Sequence, residues 1–475
     1  MQHYFKALQE AGGEVYEVGG IVRDRLLARP IGDADVIVRM LDIDRIVSLL
    51  TPFGKIALVG QSFGVIKFSP HDDAPRKTID IALPRKEFST GVGHRDFQIS
   101  FDPCLPLEED LGRRDFTINA MAQNIATGQL IDPFHGQKDL AEKTIRMVFP
   151  KAFEEDSLRM LRAIQFAARL HFTIEPETFR SITTFSHLID SISPERIIEE
   201  IRKLMLAAAP SHGFRLMADC GLLERVLPEL QKLRGLEQDK RAGDDVFDHT
   251  MRVLDAARSD DHLIEPGEIH LMLAALFHDV GKHRTKKFHE PSGRFVFFGH
   301  QIVSSKLARK WMQKMKVETI GVNPELVVHL VKHHMFETKA SFTERAIRRF
   351  IAKIGKDVIL KLCDLRLADN RGGKHPHGIK GILRLRARIE EELAKKTPFG
   401  PKDLAVNGHD LMSMGIPEGP MLGVIIKALV NRVLDDPSLN TKDQLLALAH
   451  DLPSLLKENP HDREEEDIGE EENEG

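Results

Sequence analysis

Residues 18–38, VGGIVRDRLLARPIGDADVIV, contain the strongest indication of the fold. Gly19 and Gly20 precede a stretch of helical character, and Asp33 and Asp35 then lead into an apolar run. Glycines allow the backbone to approach a ligand closely, and the start of a helix offers free N–H groups to phosphate. Side chains at positions i and i+2 of a strand lie on the same face. We therefore expect a phosphate-binding turn followed by a strand that carries two carboxylates.

Two carboxylates that face the same way repel each other unless a cation lies between them, and hard oxygen ligands suit Mg²⁺. A third acid, Asp80 in the stretch TIDIALP (78–84), lies on another expected strand and would complete such a site. Taken alone, Asp-x-Asp is a common pattern, and a glycine pair is usually only a turn. The order and spacing of these features together favour a metal site.

The hydrophobic pattern changes character along the chain. The first 145 residues alternate short apolar runs with turns that contain Gly and Pro, which is typical of an α/β domain. From residue 150 onward, apolar residues recur at intervals of three and four, which predicts that the rest is helical. The polar stretches LEQDKRAGDD (236–245) and KKTPFGPKD (395–403) are the best candidate linkers.

Composition limits the class of protein. A chain of 475 residues with 42% hydrophobic and 29% charged residues predicts several globular domains. It contains no apolar run of membrane-spanning length and no signal-peptide pattern at its start, so we expect no membrane partner. Three cysteines, far apart and odd in number, exclude a disulfide framework and favour a cytoplasmic location.

The net charge of -5 argues at first against a nucleic-acid partner. Residues 461–475, HDREEEDIGEEENEG, carry nine acids and one arginine, so the other 460 residues carry a net charge of +3. A block of one sign is typical of a solvated, disordered tail. The overall charge is therefore a poor guide to the folded surface.

The ordered motifs of this chain resemble those of class II tRNA nucleotidyltransferases and bacterial poly(A) polymerases. They are GGxVRDxLL at 19–27, LGRRDFTINAMA at 111–122, IDPFHGQKDL at 131–140, EDxxRxxR at 155–162 and VNGxDL at 406–411. The chain differs from the family pattern at two positions: it has Ala28 where the family usually has Gly, and Gln165 where the family usually has Arg.

This resemblance implies an α/β nucleotidyltransferase head of the polymerase-beta type, followed by an all-α neck, body and HD domain. The expected domains are a head (1–145), a helical neck that binds RNA (146–236), an HD metal-dependent phosphohydrolase domain (246–375), a C-terminal helical domain (376–456) and an acidic disordered tail (457–475).

By the same resemblance, Asp33 and Asp35 would hold two Mg²⁺ ions that act on the RNA 3′-hydroxyl and on the triphosphate. Asp33, Asp35 and Asp80 are the expected catalytic residues. The residues expected to bind the nucleotide are Gly19, Gly20, Arg23, Arg114, Asp115, Asn119, Glu155, Asp156, Arg159 and Arg162. Within this set, Arg23 would counter the triphosphate and Asp115 would read the ribose 2′-hydroxyl.

The periodic stretch 155–170 is predicted to be one helix, with Glu155, Asp156 and Arg159 on neighbouring positions of one face. Asp156 and Arg159 would offer an acceptor and donors that match the edges of both cytosine and adenine, and Glu155 would orient Arg159. An exposed salt bridge is the alternative, and such pairs are frequent.

Histidines concentrate between residues 246 and 375. The sequence supplies His249, His278, Asp279, His300, the pair His333-His334 and Asp369, and these are ligand types for transition metals. The pattern resembles the HD phosphohydrolase superfamily, which implies a metal such as Ni, Mn, Fe or Co and a phosphatase or 2′,3′-cyclic phosphodiesterase activity. The choice between the two adjacent histidines stays open, and a degenerate, structural domain is the alternative.

Basic residues in 345–353 and 374–388 would contact tRNA phosphates, or they form solvated helical faces. Aromatic residues make up only 6%, which argues against base stacking on a sheet.

The expected function is template-independent addition and repair of the 3′-terminal CCA of tRNA from CTP and ATP. Because the EDxxR motif does not separate these activities, a poly(A) polymerase and an enzyme that adds only A are alternatives. Two other classes stay open: a chain that is mainly an HD phosphohydrolase, and a non-catalytic RNA-binding scaffold.

Overall fold

The computed structural model describes residues 2–32, 34–59, 64–71, 78–89, 97–238, 244–258, 268–373, 377–395 and 397–455. The chain divides into two compact units, Met1–Val226 and Leu227–Gly475. Within the described ranges, every helix is too short or too polar to cross a lipid bilayer.

The first unit begins as an α/β domain and continues as helices. Its strands are β1 Glu14–Val18, β2 Ala34–Arg39, β3 Gly54–Val59, β4 Val65–Pro70, β5 Ile79–Ala82, β6 Arg85–Ser89, β7 Phe97–Phe101, β8 Ala122–Asn124, β9 Leu130–Ile131, β10 Thr144–Ile145 and β11 Thr173–Ile174. Its helices are α1 His3–Glu10, α2 Gly20–Leu26, α3 Ile43–Leu50, α4 Leu107–Gly112, α5 Gly136–Ala141, α6 Ala152–Glu155, α7 Leu158–Leu170, α8 Pro176–Phe185, α9 Pro194–Met205, α10 Pro210–Asp219 and α11 Leu222–Val226.

A mixed sheet forms the core of the head, and among the described residues its strand order is β3-β4-β5-β2-β1-β8-β9. Strand β2 runs parallel to β5 and antiparallel to β1. Val36 and Val38 pack in one apolar cluster with residues of α1 and α3, and Ile37 packs in another with residues of α4. The apolar run after Asp35 is therefore buried on both faces, which confirms the α/β prediction.

The predicted single helix over 155–170 is wrong at its start. Helix α6 ends at Glu155, Asp156 has extended backbone angles (φ -138, ψ 99), and α7 begins at Leu158. The Asp156 carboxylate accepts the N–H of Leu158 at 3.2 Å. Aspartate side chains compete with the helix for backbone donors, and this competition breaks the helix here.

The second unit is largely helical, as predicted. Its elements are α12 Pro228–Gln231, α13 Val246–Ala257, α14 Ile269–Phe277, α15 Lys282–Thr285, β12 Lys287–His289, β13 Arg294–Val296, α16 His300–Met315, α17 Pro324–His333, α18 Glu344–Ile354, α19 Ile359–Gly372, α20 His377–Ala394, α21 Gly408–Ser413, α22 Pro420–Asp435 and α23 Lys442–Leu455. The hairpin of β12 and β13 was not predicted, since three-residue strands leave too little alternation to detect.

Helix α14 is the centre of this unit. Residues 271–277 are all buried, and the helix contacts α13, α16, α17 and α19. A helix that is apolar on every side has to be surrounded by other elements. Its first turn is capped by Glu268, which accepts the N–H of Leu271 at 2.6 Å, and its last turn leads directly to His278. The packing of α14 therefore fixes the position of the histidine that follows it.

Ala28 adopts a conformation that usually requires glycine. Its φ is 51, its N–H bonds to the carbonyl of Arg25 at 3.1 Å, and the N–H of Arg29 bonds to the carbonyl of Asp24 at 2.8 Å. This bonding pattern is a Schellman motif with Ala28 at the left-handed position. An L residue in that conformation costs about 1–2 kcal/mol, so Ala28 strains the turn that leads toward β2.

We expect Ala28→Gly to stabilise the first unit by about 1 kcal/mol, because relief of the left-handed strain exceeds the added entropy of the unfolded chain. Hydrogen exchange of the β2 amides in mild denaturant measures the change. The same substitution inside a helix, Ala7→Gly in α1, should instead destabilise by about 1 kcal/mol. Equal losses in both variants would contradict the assigned strain.

Candidate nucleotide and metal sites

Two carboxylates lie side by side on the central strands of the head. Asp35 on β2 is directly opposite Asp80 on the parallel strand β5, and Lys67 on β4 is the next neighbour of Asp80. The Lys67 ammonium lies 3.9 Å from the Asp80 carboxylate. Asp35 is exposed. The expected third carboxylate, Asp33, lies outside the described residues. The structure thus brings two of the three predicted acids together in register and in reach of solvent.

Gly19 allows an arginine to lie against the backbone before α2. Its backbone angles (φ 73, ψ -124) are open to glycine and strained for other residues. A Cβ at this position would come within 2.7 Å of Arg114 Nη1. Burial lowers the pKa of Arg114, while the carboxylates of Asp110 and Asp35 act in the opposite direction. Arg114 is thereby close enough to Asp35 for their charges to interact.

A buried hydrogen-bond network links the other residues of the RRDFTIN motif. Arg23 Nη1 donates to Asn119 Oδ1 at 2.7 Å, and Asn119 Nδ2 donates to Asp115 Oδ1 at 3.0 Å. Arg162 Nε donates to Asp115 Oδ2 at 2.8 Å. Burial alone would raise the pKa of Asp115, but the charge of Arg162 and the bond from Asn119 hold that pKa below its usual value. Asp115 therefore stays ionised inside the network.

Arg23 is buried and turned toward protein partners. Its Nε and Nη2 atoms donate to the two carboxylate oxygens of Asp24 at 2.8 and 2.9 Å, in addition to the bond with Asn119. Its guanidinium lies 5.0 Å from the ring centre of Phe166. These contacts give the Arg23 guanidinium partners within the protein and join it to the network through Asn119.

The EDxxR motif contacts the RRDFTIN motif through Arg159. Its Nη2 atom donates to the Arg113 carbonyl at 2.8 Å, whereas its nearest approach to the Glu155 carboxylate is 3.9 Å. Asp156 accepts from Arg196 Nη2 at 3.0 Å. Sequence reasoning missed Arg196, which lies on α9 outside every quoted motif, so no signal in the sequence marked it.

Gln165, one of the two departures from the family pattern, is buried in α7. Its side-chain oxygen accepts from Arg169 Nη1 at 3.2 Å. Burial lowers the pKa of Arg169, and the positive charges of Arg23 and Arg29 lower it further. A neutral side chain at position 165 thus avoids adding one more charge to a crowded cationic region.

The second unit gathers six buried ligand-type side chains into one cluster. The members are His249, His278, Asp279, His300, His334 and Asp369. They form two groups, and the ligand atoms of each group lie within 4.8 Å of one another: His249 with His278 and Asp369, and Asp279 with His300 and His334. All five residues predicted for this site are included.

Asp279 stands between the two groups. Its Oδ2 atom lies 3.5 Å from His249 Nε2 and 3.2 Å from His278 Nε2, and its Oδ1 atom lies 3.1 Å from His300 Nε2 and 4.0 Å from His334 Nε2. Ligand atoms about 2.1 Å from one metal ion are separated by roughly 3.0–3.4 Å, which matches the distances from Asp279 to His278 and to His300. The donor set of each group therefore fits a metal ion, which His249, His278 and Asp369, or Asp279, His300 and His334, would hold.

Each histidine of the cluster is oriented by its second ring nitrogen. The Nδ1 atoms lie within hydrogen-bond distance of backbone carbonyls: His249 with Gly372 (3.3 Å), His278 with Ala275 (2.8 Å), His300 with Phe297 (2.9 Å) and His334 with Val331 (2.8 Å). A carbonyl only accepts, so Nδ1 carries the proton and Nε2 keeps its lone pair for a metal ion.

The structure resolves the choice between the adjacent histidines. His334 is fully buried and its Nε2 atom lies 3.3 Å from His300 Nε2, whereas His333 packs against the ring of His329. Burial, and then the neighbouring His300 and His278, hold the pKa of His334 well below its usual value. A neutral imidazole is the form that binds metal ions.

Two cations donate hydrogen bonds to the carboxylates of this cluster. Lys282 Nζ donates to Asp279 Oδ2 at 2.7 Å, and Arg366 Nη1 donates to Asp369 Oδ2 at 2.9 Å. Both cations are buried. Sequence reasoning did not single out either one, although Lys282 follows the His-Asp pair at a fixed spacing in FHDVGK. They leave Asp369 Oδ1 directed at His249, 3.1 Å away.

The first basic run holds the C-terminal helices together. Arg348 donates to the backbone carbonyls of Leu434 and Asp435 at 2.6 and 3.0 Å, and Arg345 and Arg349 pair with the Asp435 carboxylate at 2.7 and 2.9 Å. Cations near the last carbonyls of a helix stabilise its end. These arginines join α18 to the end of α22, a role that neither of the two interpretations from the sequence included.

The second basic run includes Lys374, which lies outside the described residues. Within its described part, Arg386 on α20 pairs with the carboxylates of Asp364 and Glu390. This arginine is therefore also committed to intramolecular contacts.

Four family models match consecutive parts of the chain. They are the poly A polymerase head domain (15–146), the probable RNA and SrmB-binding site of polymerase A (171–233), the HD domain (246–371) and the tRNA nucleotidyltransferase domain 2 (381–449). The metal cluster of the second unit lies within the HD-domain match, and the residues of the first site from Gly19 to Asn119 lie within the head-domain match. The EDxxRxxR motif (155–162) lies between the first two matched regions.

A curated relative covers nearly the whole chain. The multifunctional CCA protein of Xanthomonas oryzae pv. oryzae is 33% identical over 427 residues, which span 86% of this chain and 95% of the relative. The chain belongs to the multifunctional CCA protein family. The family member from Nitrosococcus oceani is 35% identical over 326 residues, covering 68% of this chain and 74% of the relative.

Solved structures of CCA-adding enzymes share the fold of this multifunctional CCA protein family member. The enzyme of Bacillus stearothermophilus in complex with CTP superposes with a TM-score of 0.64 at 25% identity, covering 96% of this chain and 99% of that one. The Thermotoga maritima enzyme complexed with tRNA has a TM-score of 0.55 at 21% identity, covering 95% and 94%. At 21% identity, the similarity to the Thermotoga maritima enzyme shows a shared fold only.

We expect Gly19→Ala to destabilise the first unit by about 2 kcal/mol, because a Cβ at this position combines backbone strain with a clash against Arg114. The adjacent Gly20→Ala is the matched control. Its Cβ would have no neighbour nearer than 3.6 Å in the first turn of α2, so its effect should stay within about 0.5 kcal/mol. Urea unfolding monitored at the β2 amides measures both, and equal effects would refute the packing assigned to Arg114.

Proposed function

We propose that this chain builds and repairs the 3′-terminal CCA of tRNA from CTP and ATP, with release of pyrophosphate. The observation that carries this proposal is the in-register pair Asp35 and Asp80 beside Arg114, in a chain of the multifunctional CCA protein family. Mg²⁺ held by this pair and by Asp33 would supply activation of the RNA 3′-hydroxyl and charge stabilisation at the phosphates.

The protein residues around this pair would position the nucleotide. Arg23 would counter the charge of the triphosphate, and Arg114, for which the Gly19 backbone leaves room, would contact the incoming nucleotide. Arg23, which bonds to Asp24 and Asn119, would also act through Asn119 on Asp115. In this proposal Asp115 accepts a hydrogen bond from the ribose 2′-hydroxyl, because its depressed pKa keeps it ionised and acceptor-only.

Asp156 and Arg159 would select the base. Cytosine and adenine each present a donor next to an acceptor, so one carboxylate and one guanidinium can pair with both while rejecting G and U. The contacts of Asp156 with Arg196 and of Arg159 with the Arg113 carbonyl hold these groups in place. Glu155, 3.9 Å from Arg159, and Arg162, bound to Asp115, would maintain their orientation.

For the second unit we propose a phosphohydrolase acting on RNA ends or nucleotides as a phosphatase or a 2′,3′-cyclic phosphodiesterase. Two metal ions bound by the six-residue cluster would lower the pKa of a bound water and polarise a phosphate ester. Imidazole-rich sites suit Ni, Mn, Fe or Co, and Mg²⁺ suits the carboxylate site of the head.

We also propose that the enzyme works in the cytoplasm with tRNA as its polymer substrate. Cys104, Cys220 and Cys363 are free thiols, and burial raises the pKa of Cys220 to about 11 and that of Cys363 to about 12. Such thiols suit a reducing compartment. The boundaries proposed for the domains are those expected from the sequence, with the head ending near residue 145 and the HD domain at 246–375.

Incubation of tRNA lacking its CCA end with CTP and ATP tests the polymerase proposal. We expect addition of three nucleotides followed by arrest, while open-ended addition of A, or addition of A alone, would reject it. Asp35→Asn should reduce addition by more than about 100-fold, since changes that merely orient metal ligands already cost 10–100-fold. Asp44→Asn, an exposed carboxylate on α3, is the control that should leave the rate unchanged.

The metal content of two adjacent variants tests the second site. We expect the wild-type protein to bind two transition-metal ions in the second unit, and His334→Ala to retain one, because the group formed by Asp279 and His300 loses its third ligand. His333→Ala should still bind two. Elemental analysis after dialysis provides the count. A full complement in His334→Ala, or a loss in His333→Ala, would show that the ligand has been misassigned.

A further inference from the structure

A short hairpin is tied to the second-unit metal cluster at both of its ends. The chain leaves Asp279, passes through α15 and β12, and returns along β13 to His300. Phe295 is five residues from His300, so their Cα atoms are at most about 18 Å apart, and Phe298 is within about 7 Å of the same residue by chain length. Buried Val296 and Phe297 anchor the returning strand. The hairpin is thus a fixed neighbour of the cluster.

Three phenylalanines on this hairpin are exposed to solvent. Phe288 is 57% exposed, Phe295 44% and Phe298 54%. Phe288 and Phe295 are directly opposite each other across the two strands, with ring centres 5.5 Å apart at 73°. Clustered exposure of large apolar side chains marks an interaction surface. Aromatic residues make up only 6% of the whole chain, so three exposed phenylalanines on one short hairpin are a local concentration of them.

The same segment is basic. Residues 286–296, KKFHEPSGRFV, contain three Lys or Arg residues and one acid, a net charge of +2. The ammonium of Lys286 lies 4.1 Å from the ring centre of Phe295. Cations interleaved with exposed rings are the combination that binds single-stranded nucleic acid, because the cations attract phosphates and each ring stacks on a base.

We propose that this hairpin is a base-stacking platform that binds the last few nucleotides of a single-stranded RNA 3′ end and directs its terminal phosphate to the adjacent metal cluster. The proposal rests on the phosphohydrolase function proposed above. Bases must be unstacked to reach the rings, so the platform selects single-stranded ends over duplex RNA. When a base stacks on Phe295, Lys286 moves from the ring to a phosphate.

The reaction served by this platform is hydrolysis of a 2′,3′-cyclic phosphate. The oxygen of one water bonds to phosphorus, one of the two ribose P–O bonds breaks, and the released ribose oxygen takes up the proton. The product is an RNA end with a phosphomonoester, and no further reactant is needed. The rings themselves act only in binding, so they should affect KM and leave kcat unchanged.

The test uses the full-length metal-loaded enzyme and a short RNA ending in 2-aminopurine with a 2′,3′-cyclic phosphate. Stacking quenches 2-aminopurine fluorescence, and stopped-flow detection reads it before turnover. Phe295→Ala and Phe288→Ala should weaken binding and raise KM by about 10-fold, the size expected for loss of one stacked base. Phe295→Tyr should restore both values. Met414→Ala, which removes an exposed apolar side chain elsewhere in the unit, should change neither.

An RNA whose last few nucleotides are abasic separates this proposal from the one it rests on. Turnover of this abasic RNA should be equal in wild type and Phe295→Ala, since there is no base to stack. If the wild type hydrolyses neither RNA, the phosphohydrolase proposal fails, while a fluorescence change that depends on Phe295 still supports the platform. Unchanged quenching and KM in both alanine variants would overturn it. The platform proposal would also be overturned if the alanine variants changed the sedimentation of the protein but not the quenching, because the hairpin would then be a protein–protein contact.

Discussion

The repulsion between Asp35 and Asp80 constrains the architecture of the first unit. Like charges directly opposite each other weaken a sheet, so this pair needs positive charge nearby. Lys67 provides some of it from the neighbouring strand, and Arg114 approaches because Gly19 has no side chain. Asp110, within 3.6 Å of Arg114, holds the arginine from its other side. The sheet register, the glycine turn and the RRDFTIN motif are thus parts of one electrostatic arrangement, which a divalent cation would complete in the proposed function.

In the second unit, positive charge also stabilises a group of carboxylates, but here the carboxylates are buried. Burying unpaired carboxylates is costly, and here each carboxylate has a buried cation on one side and imidazoles on the other. Lys282 holds Asp279, and Arg366 holds Asp369. Because backbone carbonyls accept hydrogen bonds from the Nδ1–H groups of the four histidines, every Nε2 lone pair is directed toward the centre of the cluster. The fully buried helix α14 makes this possible, since it presents His278 at its end inside a shell of helices.

The sequence was informative where chemistry depends on local spacing. It located Asp35 and Asp80 on strands and named five of the six cluster residues, because these positions follow from strand alternation and from motif order. It could not separate His333 from His334, since the choice depends on which way the end of α17 faces. It missed Arg196 and the helix break at Asp156, which depend on tertiary partners and on a side chain competing for a backbone donor. The arginines of 345–349 resembled an RNA surface, but they hold helices together.

In the proposed function, the Asp35–Asp80 pair holds the divalent cation used for nucleotide addition. Hydrogen exchange of the β2 and β5 amides with and without Mg²⁺ tests this assignment, because a ligand bound only to the native state stabilises what it binds. We expect Mg²⁺ to increase protection of these strands in the wild type and to have no such effect in Asp80→Asn, whose strands should already be better protected without the ion. An equal Mg²⁺ response in the wild type and in Asp80→Asn would contradict it.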